Sequence, residues 1–193
     1  MKKLLFLNAC VNRETSRTLR ISKEFIDLLQ KNNEYEVSEL ILEELNIPSV
    51  LSKELNERNA LLRNGDYNNT KFDLANQFAD ADCIVVAAPY WDFGFPAILK
   101  TYIEAISLPG IAYQYGEDGR PVGKCKANKL YYITTRGGFV TDEQDLGFGT
   151  MLQLGAFYGI KEIKCISAGG FDIPTNDVET LISTTIADLS NMI

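Results

Sequence analysis

Five short apolar runs, each rich in residues that favour β-strands, recur along the chain and constrain its fold more than any other feature. Each run is short enough for a buried strand, and most of the segments between them have the apolar spacing of helices. In the first such segment, Leu19, Ile26 and Leu29 lie on one helical face, after a Thr15-Ser16 pair that can cap a helix. The five predicted strands are Lys3–Leu7, Tyr35–Leu40, Cys83–Ala88, Lys129–Thr134 and Glu162–Ser167.

Helices are predicted between these strands and after the last one. Pro96 suits a first helical turn and so favours a helix over Ala97–Ile106. The other predicted helices cover Asn56–Arg63, Phe72–Phe78, Met151–Tyr158 and Val178–Met192. Apolar strands that alternate with helices predict a parallel sheet covered on both faces. Five strands in 193 residues favour the flavodoxin-like order 2-1-3-4-5, a three-layer α/β sandwich forming one domain over residues 1–193.

Topology alone then predicts where a ligand binds. In open α/β sheets, ligands lie beyond the carboxyl ends of the strands, where the strand order reverses. For this order, the crevice lies between the first and third strands. The loops that should form the site are therefore Asn8–Thr18, Ala88–Pro96 and Thr135–Glu143.

Composition excludes several classes of function. Histidine is absent, which removes Ser-His-Asp and Cys-His catalysis and the usual zinc sites, so no metal site is expected. The net charge of −7 argues against general nucleic-acid binding. No apolar run is long enough to span a membrane. Four scattered cysteines, without a Cys-x-x-Cys pair or a secretion signal, indicate free thiols in the cytoplasm.

The first loop offers hydroxyl and backbone N–H groups at the start of a helix. It lacks the Gly-x-Gly-x-x-Gly and Gly-x-x-x-x-Gly-Lys-Ser/Thr patterns, so neither a dinucleotide fold nor a nucleotide triphosphatase is indicated. Its geometry suits a monophosphate, and Arg17 could add a charge-assisted contact. The alternative is that Ser16 and Thr18 only cap the helix.

The other two loops suit a planar ring. The segment Pro89–Pro96 holds four aromatic residues, including the single tryptophan, which could stack on or edge a heteroaromatic ligand. A hydrophobic subunit contact or a small core cluster is the alternative. In the segment Thr134–Phe139, paired glycines let the backbone approach a ligand closely, or simply make a tight turn.

These motifs resemble those of the FMN-dependent NADH-azoreductases and the related NAD(P)H quinone oxidoreductases, which have a flavodoxin-like fold. The resemblance runs from the first strand to about Ala168. It implies that the first loop binds the FMN phosphate. The segment that matches the family's Pro-Met-Tyr-Asn-Phe would line the flavin ring, and the segment that matches the family's Ser/Thr-Arg-Gly-Gly would lie at the flavin edge. The positions implied for these three roles are Cys10, Ser16, Arg17 and Thr18, then Pro89, Tyr90, Trp91, Asp92 and Phe93, then Thr135, Arg136, Gly137 and Gly138.

A further family segment is matched by Ala112–Gly123, with Arg120 inserted. By resemblance this excursion covers the site, whereas the alternative is an ordinary exposed loop. Three departures stand out: Cys10 replaces a serine, Asp92 replaces an asparagine, and Phe139-Val140 replaces a common histidine. A thiol is a weaker hydrogen-bond partner for phosphate than a hydroxyl.

The resemblance implies a homodimeric oxidoreductase with non-covalent FMN, which takes hydride from NADH or NADPH and passes two electrons to a quinone or azo acceptor in a ping-pong cycle. No catalytic acid or base is expected, and Phe93, Tyr115 and Phe139 would surround the acceptor. Three alternatives stay open: an NAD(P)H-dependent flavin reductase, a non-enzymatic electron carrier like flavodoxin, and a flavin-free binding domain on the same fold.

Overall fold

The five predicted strands form one parallel sheet in the predicted order. A computed structural model describes all residues, Met1–Ile193. Its strands are β1 (Lys2–Asn8), β2 (Tyr35–Ile41), β3 (Cys83–Ala87), β4 (Tyr113–Tyr115), β5 (Pro121–Gly123), β6 (Lys129–Thr135) and β7 (Glu162–Ala168). The sheet runs β2-β1-β3-β6-β7, and each pair in it is parallel. This is the 2-1-3-4-5 order, so the three-layer α/β prediction is confirmed.

Six helices cover the sheet: α1 (Arg17–Asn32), α2 (Ser52–Arg63), α3 (Asp73–Asp80), α4 (Ala97–Ile106), α5 (Leu146–Tyr158) and α6 (Val178–Asp188). Three of them differ clearly from the predicted bounds. Helix α2 begins at Ser52, whereas the prediction began at Asn56. Helix α5 begins five residues earlier than predicted, because the Asp145 carboxylate accepts the Phe148 N–H at 2.9 Å and caps it there. Helix α6 ends at Asp188, and a 3₁₀ turn continues to Met192. No helix combines the length and apolar character needed to cross a bilayer.

The core is divided by the sheet into two layers. Leu5 and Leu7 of β1 point toward α3, α4 and α5, whereas Leu4 and Phe6 of the same strand point toward α1 and α6. All five residues of β3 are buried, as expected for a central strand covered on both faces. Because side chains on both faces of β1 and β3 are packed, these two strands are firmly held at the centre of the sheet, where the strand order reverses.

The antiparallel pair β4–β5 forms a hairpin at the amino edge of the sheet. After the hairpin, the Lys126 N–H donates to Ala79 O at 2.9 Å, close to the end of α3 and the start of β3. Gly123 lies against the end of α5 so closely that a Cβ atom there would be 2.0 Å from the Tyr158 carbonyl carbon. Only glycine can occupy this position without a backbone shift, so the hairpin is clamped to α5.

Candidate active-site cleft

Loops that follow β1, β3 and β6 meet in a cleft of about 400 Å³ at the carboxyl edge of the sheet. This is where the strand order predicts a ligand site. A fourth loop, after β7, completes the cleft with Phe171 and Asp172. Asp92, Phe93 and Gly138 lie next to the lining residues in the chain and are more exposed. The predicted cofactor residues that line the cleft are Cys10, Ser16, Arg17, Thr18, Pro89, Tyr90, Trp91, Thr135, Arg136 and Gly137.

One end of the cleft is the start of α1. Ser16 caps the helix, its Oγ accepting the Leu19 N–H at 3.1 Å. The N–H groups of Arg17 and Thr18 precede the first intrahelical hydrogen bond and have no acceptor within the protein. The Arg17 side chain lines the same cleft, with its guanidinium 5.1 Å from the centre of the Phe171 ring. Unpaired N–H groups at a helix start, with a cation next to them, form an anion site.

The predicted phosphate-binding side chains make contacts inside the protein. Cys10 is buried, and its Sγ lies 3.7 Å from Ala87 O. Burial raises the pKa of the Cys10 thiol to about 11, so the thiol stays protonated at neutral pH. The Thr18 hydroxyl bonds Thr135, and the Ser16 oxygen caps α1. Backbone N–H groups and Arg17 are therefore the groups best placed to meet an anion.

Thr135 joins the three predicted loops. Its Oγ1 lies 2.6 Å from Thr18 Oγ1, and its carbonyl oxygen accepts the Tyr90 N–H at 3.1 Å. These two contacts tie the loop after β6 to the loops after β1 and β3. The walls of the cleft are thus fixed by hydrogen bonds within the protein before any ligand binds.

The aromatic loop after β3 turns back on itself within four residues. Trp91 and Gly94 exchange backbone hydrogen bonds of 3.2 and 2.8 Å around Asp92 and Phe93, whose φ angles are 48° and 65°. Positive φ at both central residues defines a type I′ turn. Asp tolerates this conformation, whereas Phe is strained in it. The turn presents the Phe93 ring, 70% exposed, beside the mouth of the cleft.

Arg136 shapes the loop after β6 through a buried ion pair. Its Nε and Nη2 lie 3.2 and 2.8 Å from Asp145 Oδ2, and Nη2 also lies 2.9 Å from Asp142 Oδ1. The side chains of Arg136 and Asp145 are 4% and 0% exposed. The guanidinium is therefore committed to holding residues 136–145, which leaves the backbone of Gly137 and Gly138 to face a ligand. The Phe139 side chain, predicted near the acceptor, is exposed, and its ring lies against Gly170 in the loop after β7.

Two features of the site differ from the sequence reading. The loop after β7 was missed, although its Gly169-Gly170 pair and its position after the fifth strand could have indicated it. Its backbone pairs with the loop after β6, the Asp172 N–H donating to Gly137 O at 2.9 Å. Tyr115 is on the hairpin at the amino edge, where it lines a separate groove beside Asp80 and Lys126. It does not line the cleft of its own chain.

Comparison with known proteins agrees with this geometry. A family described as having a flavodoxin-like fold matches residues 2–193. An FMN-dependent NADH:quinone oxidoreductase of Clostridium perfringens is 35% identical over 182 residues, covering 93% of this chain and 91% of that protein. Its namesake in Clostridium beijerinckii is also 35% identical, over 96% of this chain and 95% of that protein.

Solved structures agree with the fold. The azoreductase of Bacillus anthracis str. Sterne has a TM-score of 0.86 and 21% identity, with 100% of this chain and 98% of that chain covered. An FMN-dependent NADH-azoreductase of Bacillus anthracis str. Ames Ancestor, in complex with FMN, has a TM-score of 0.84 and 19% identity, with 99% and 97% covered. The chain therefore belongs to the flavodoxin-like family that includes these FMN-dependent NADH:quinone oxidoreductases.

Proposed function

We propose that this protein is an FMN-dependent oxidoreductase, which uses NADH or NADPH to reduce quinones or azo compounds. One observation carries the proposal: an anion site and a set of aromatic side chains lie in the same cleft, where the fold places ligands. The names of the Clostridium relatives support FMN, NADH and a quinone. The Bacillus anthracis azoreductases support an azo compound as the second class of acceptor only through their shared fold.

The residues of the cleft fit FMN. The free N–H groups of Arg17 and Thr18, with the Arg17 guanidinium, would hold the phosphate. Tyr90 and Trp91 would line the flavin ring, and the backbone from Thr135 to Gly138 would meet its polar edge. When bound, FMN supplies the capacity to accept a hydride and pass on two electrons.

The protein itself would bind and orient the cofactor and the substrates, without a side chain positioned for acid–base catalysis. The Asp145 carboxylate is fully buried against Arg136, and the Cys10 thiol is protonated and directed at the sheet. Arg136 keeps its loop in shape, and Thr135 holds the three loops together. Phe93 and Phe139 are exposed on the loops after β3 and β6, from which they would exclude water around an aromatic acceptor.

A homodimer is part of the proposal, and α5 is its main support. This helix packs on the sheet through Met151 and Gly155, yet Leu146, Leu152 and Ala156 on its outward side are exposed. A helix that is apolar on all sides belongs in an interior, so a second copy is expected to cover it. The role expected of Tyr115 beside the acceptor also requires the dimer. Because Tyr115 lies at the amino edge of the sheet, it could reach only the cleft of the partner subunit.

Residence in the cytoplasm is proposed on a simpler observation. All four cysteines, at positions 10, 83, 125 and 165, are unpaired thiols. Free thiols persist in reducing compartments, whereas secreted proteins of this size more often pair theirs.

Anaerobic stopped-flow spectroscopy tests the function. The protein is loaded with FMN, and its visible absorbance is followed on addition of NADH or NADPH and then of a panel of quinones and azo dyes. We expect bleaching by a nicotinamide, followed by reoxidation by an acceptor, with FMN still bound after gel filtration. Bleaching without retention of FMN would indicate a flavin reductase. Binding without bleaching would indicate an electron carrier, and failure to bind FMN would indicate a flavin-free domain.

A further inference from the structure

A carboxylate lies inside the anion end of the cleft. The Arg17 Nη1 is 3.2 Å from Asp172 Oδ1, and both residues line the cleft. The pair joins the start of α1, where the N–H groups of Arg17 and Thr18 have no acceptor, to the loop after β7. The group best placed to attract a phosphate is thus already paired with a negative charge.

The other nearby arginines offer no replacement for Arg17. Arg13 pairs with Glu44 at 2.9 Å, Arg20 pairs with Glu179 at 2.8 Å, and Arg136 is buried with Asp145. The charged residues that line the cleft are Arg17, Arg136 and Asp172. Because the buried Asp145 pairs with Arg136, the charged side chains of the lining that are left to face a ligand are Arg17 and Asp172, which have opposite signs.

The backbone of Asp172 is held in place independently of Arg17. Its N–H donates to Gly137 O at 2.9 Å, and the Phe171 N–H donates to Arg136 O at 3.3 Å. A Cβ atom on Gly137 would be 2.1 Å from Asp172 Oδ2, so the carboxylate lies directly against that glycine. A phosphate that takes Arg17 away from Asp172 would therefore leave the carboxylate close by.

We propose that Asp172 competes with the flavin phosphate for Arg17, and so limits how strongly the cleft prefers FMN to unphosphorylated riboflavin. The inference rests on the proposed function and assigns a specificity-determining role to a residue outside the three predicted loops. A phosphate monoester carries nearly two negative charges at pH 7. Its binding in the wild-type protein must break the Arg17–Asp172 pair and places like charges a few ångströms apart. Riboflavin has no such charge and is indifferent to Asp172.

The test compares dissociation constants of FMN and riboflavin, measured by flavin fluorescence, for the wild type and for D172N at low salt. We expect D172N to bind FMN about tenfold more tightly, the effect of removing one like charge at this range in a wet site. Riboflavin affinity should stay within about twofold. The tightening should shrink at high salt, since both members of the pair are partly exposed, at 38% and 75% for the Arg17 and Asp172 side chains.

A matched control uses the ion pair of Arg20, which lies about one turn after Arg17 on α1, with Glu179 on α6. E179Q removes the carboxylate that pairs with Arg20, outside the cleft, and should leave both affinities unchanged. In an R17M background the direct repulsion between Asp172 and the phosphate remains but the competition for a cation is gone, so D172N should gain less for FMN than it does in the wild type. Circular dichroism and urea unfolding confirm that each variant folds, and D172A repeats the test without the amide.

The outcomes separate two failures. If FMN binds and D172N binds it no more tightly than the wild type, the role of Asp172 is overturned while the proposed function stands. The same holds if riboflavin gains as much as FMN, because charge would then not be the cause. If no variant binds either flavin, the proposed function fails and this inference fails with it.

Discussion

The hydroxyl oxygens of Thr18 and Thr135 lie 2.6 Å apart, and their contact joins the start of α1 to the end of β6. Thr18 is 1% exposed, so its hydroxyl has no access to bulk water if the partner is lost. The Tyr90 N–H is bonded to the carbonyl of the same Thr135. A single residue therefore holds the walls of the cleft together.

Removal of both hydroxyls of this pair should destabilise the protein by less than the sum of the two single removals. T18V or T135V alone leaves a hydroxyl without its partner, at a cost of about 1–3 kcal/mol each. In the double variant no hydroxyl remains unpaired, so its loss should be clearly smaller than the sum of the two. Urea unfolding of the four proteins measures this coupling. Additive losses would contradict a direct hydrogen bond.

Substitution of Arg136 should be among the most damaging changes in the cleft. R136M leaves the fully buried Asp145 carboxylate without a counter-charge, which we expect to cost about 3–5 kcal/mol in the free energy of unfolding. R20M removes an exposed ion pair and serves as the control, with an expected change within about 0.5 kcal/mol. Equal effects in urea unfolding would show that burial of the Arg136 pair has no energetic consequence.

The strained turn at Phe93 allows stability and activity to be separated. F93G relieves the positive φ and should raise the free energy of unfolding by about 1 kcal/mol, because the exposed ring buries little surface. F93A removes the ring but keeps the strain, so its stability should stay near that of the wild type. Both should raise the KM for quinones if Phe93 contacts the acceptor. A stability gain shared by both variants would argue against backbone strain.

Stability should fall above pH 9. Burial raises the pKa of the Cys10 and Cys83 thiols to about 11 and that of Cys125 and Cys165 to about 12. Unfolded thiols lose their protons near pH ~8.5, so between that pH and about 11 the unfolded state binds fewer protons than the folded one. Stability due to these thiols is therefore complete below pH 8 and is lost as pH rises. The slope approaches about 1.4 kcal/mol per pH unit for each thiol.

Urea unfolding at pH 8, 9 and 10 measures this loss. A variant that combines Cys10→Ala with Cys83→Ala keeps two of the four thiols and should lose stability with a clearly shallower slope. Its absolute stability is not compared with the wild type, because truncation of buried side chains has its own cost. Identical slopes would show that the buried thiols do not govern the alkaline limb.

The outward side of α5 should control assembly. L152R places a charge on the proposed interface and should yield a monomer by light scattering. L55R on α2 is the control, since Leu55 and Leu152 are each 39% exposed, and it should leave the dimer intact. A wild-type protein that is monomeric at micromolar concentration would rule out the interface altogether.

The strand–helix rhythm was enough to predict the sheet, its order and the edge that holds the cleft. All five predicted strands are present with bounds that differ by at most one residue at either end, because a buried run such as Cys83–Ala88 is flanked by residues disfavoured in strands, here Asp82 and Pro89. The start of α5 was harder, since Gly147 and Gly149 weaken the helical signal there, and only the Asp145 cap fixes the first turn. The hairpin strands β4 and β5 have only three residues each, too few for an alternating pattern to predict a strand.

The loops were predictable as a set, but the contacts of their side chains were not. Cys10, Ser16 and Thr18 lie at the positions expected of phosphate ligands, yet each makes a contact within the protein. Those of Cys10 and Thr18 are with Ala87 and Thr135, far along the chain, whereas Ser16 caps α1 through the Leu19 N–H. The same holds for Arg136, whose buried partner Asp145 is nine residues away in the sequence. The spacing of strands and helices along the sequence indicates which backbone segments meet. The hydrogen-bond partner of each side chain is decided by tertiary packing.

The contact between Gly123 and the end of α5 makes one rigid piece out of two surfaces that the chain separates by more than twenty residues. In the proposed dimer, a substitution on the outward side of α5 that rotates one copy against the other would therefore also rotate the hairpin. Tyr115 would then move relative to the cleft of the partner subunit. Acceptor preference and subunit packing would then drift together among relatives, and a chimaera that exchanges only one of the two segments should misplace the other.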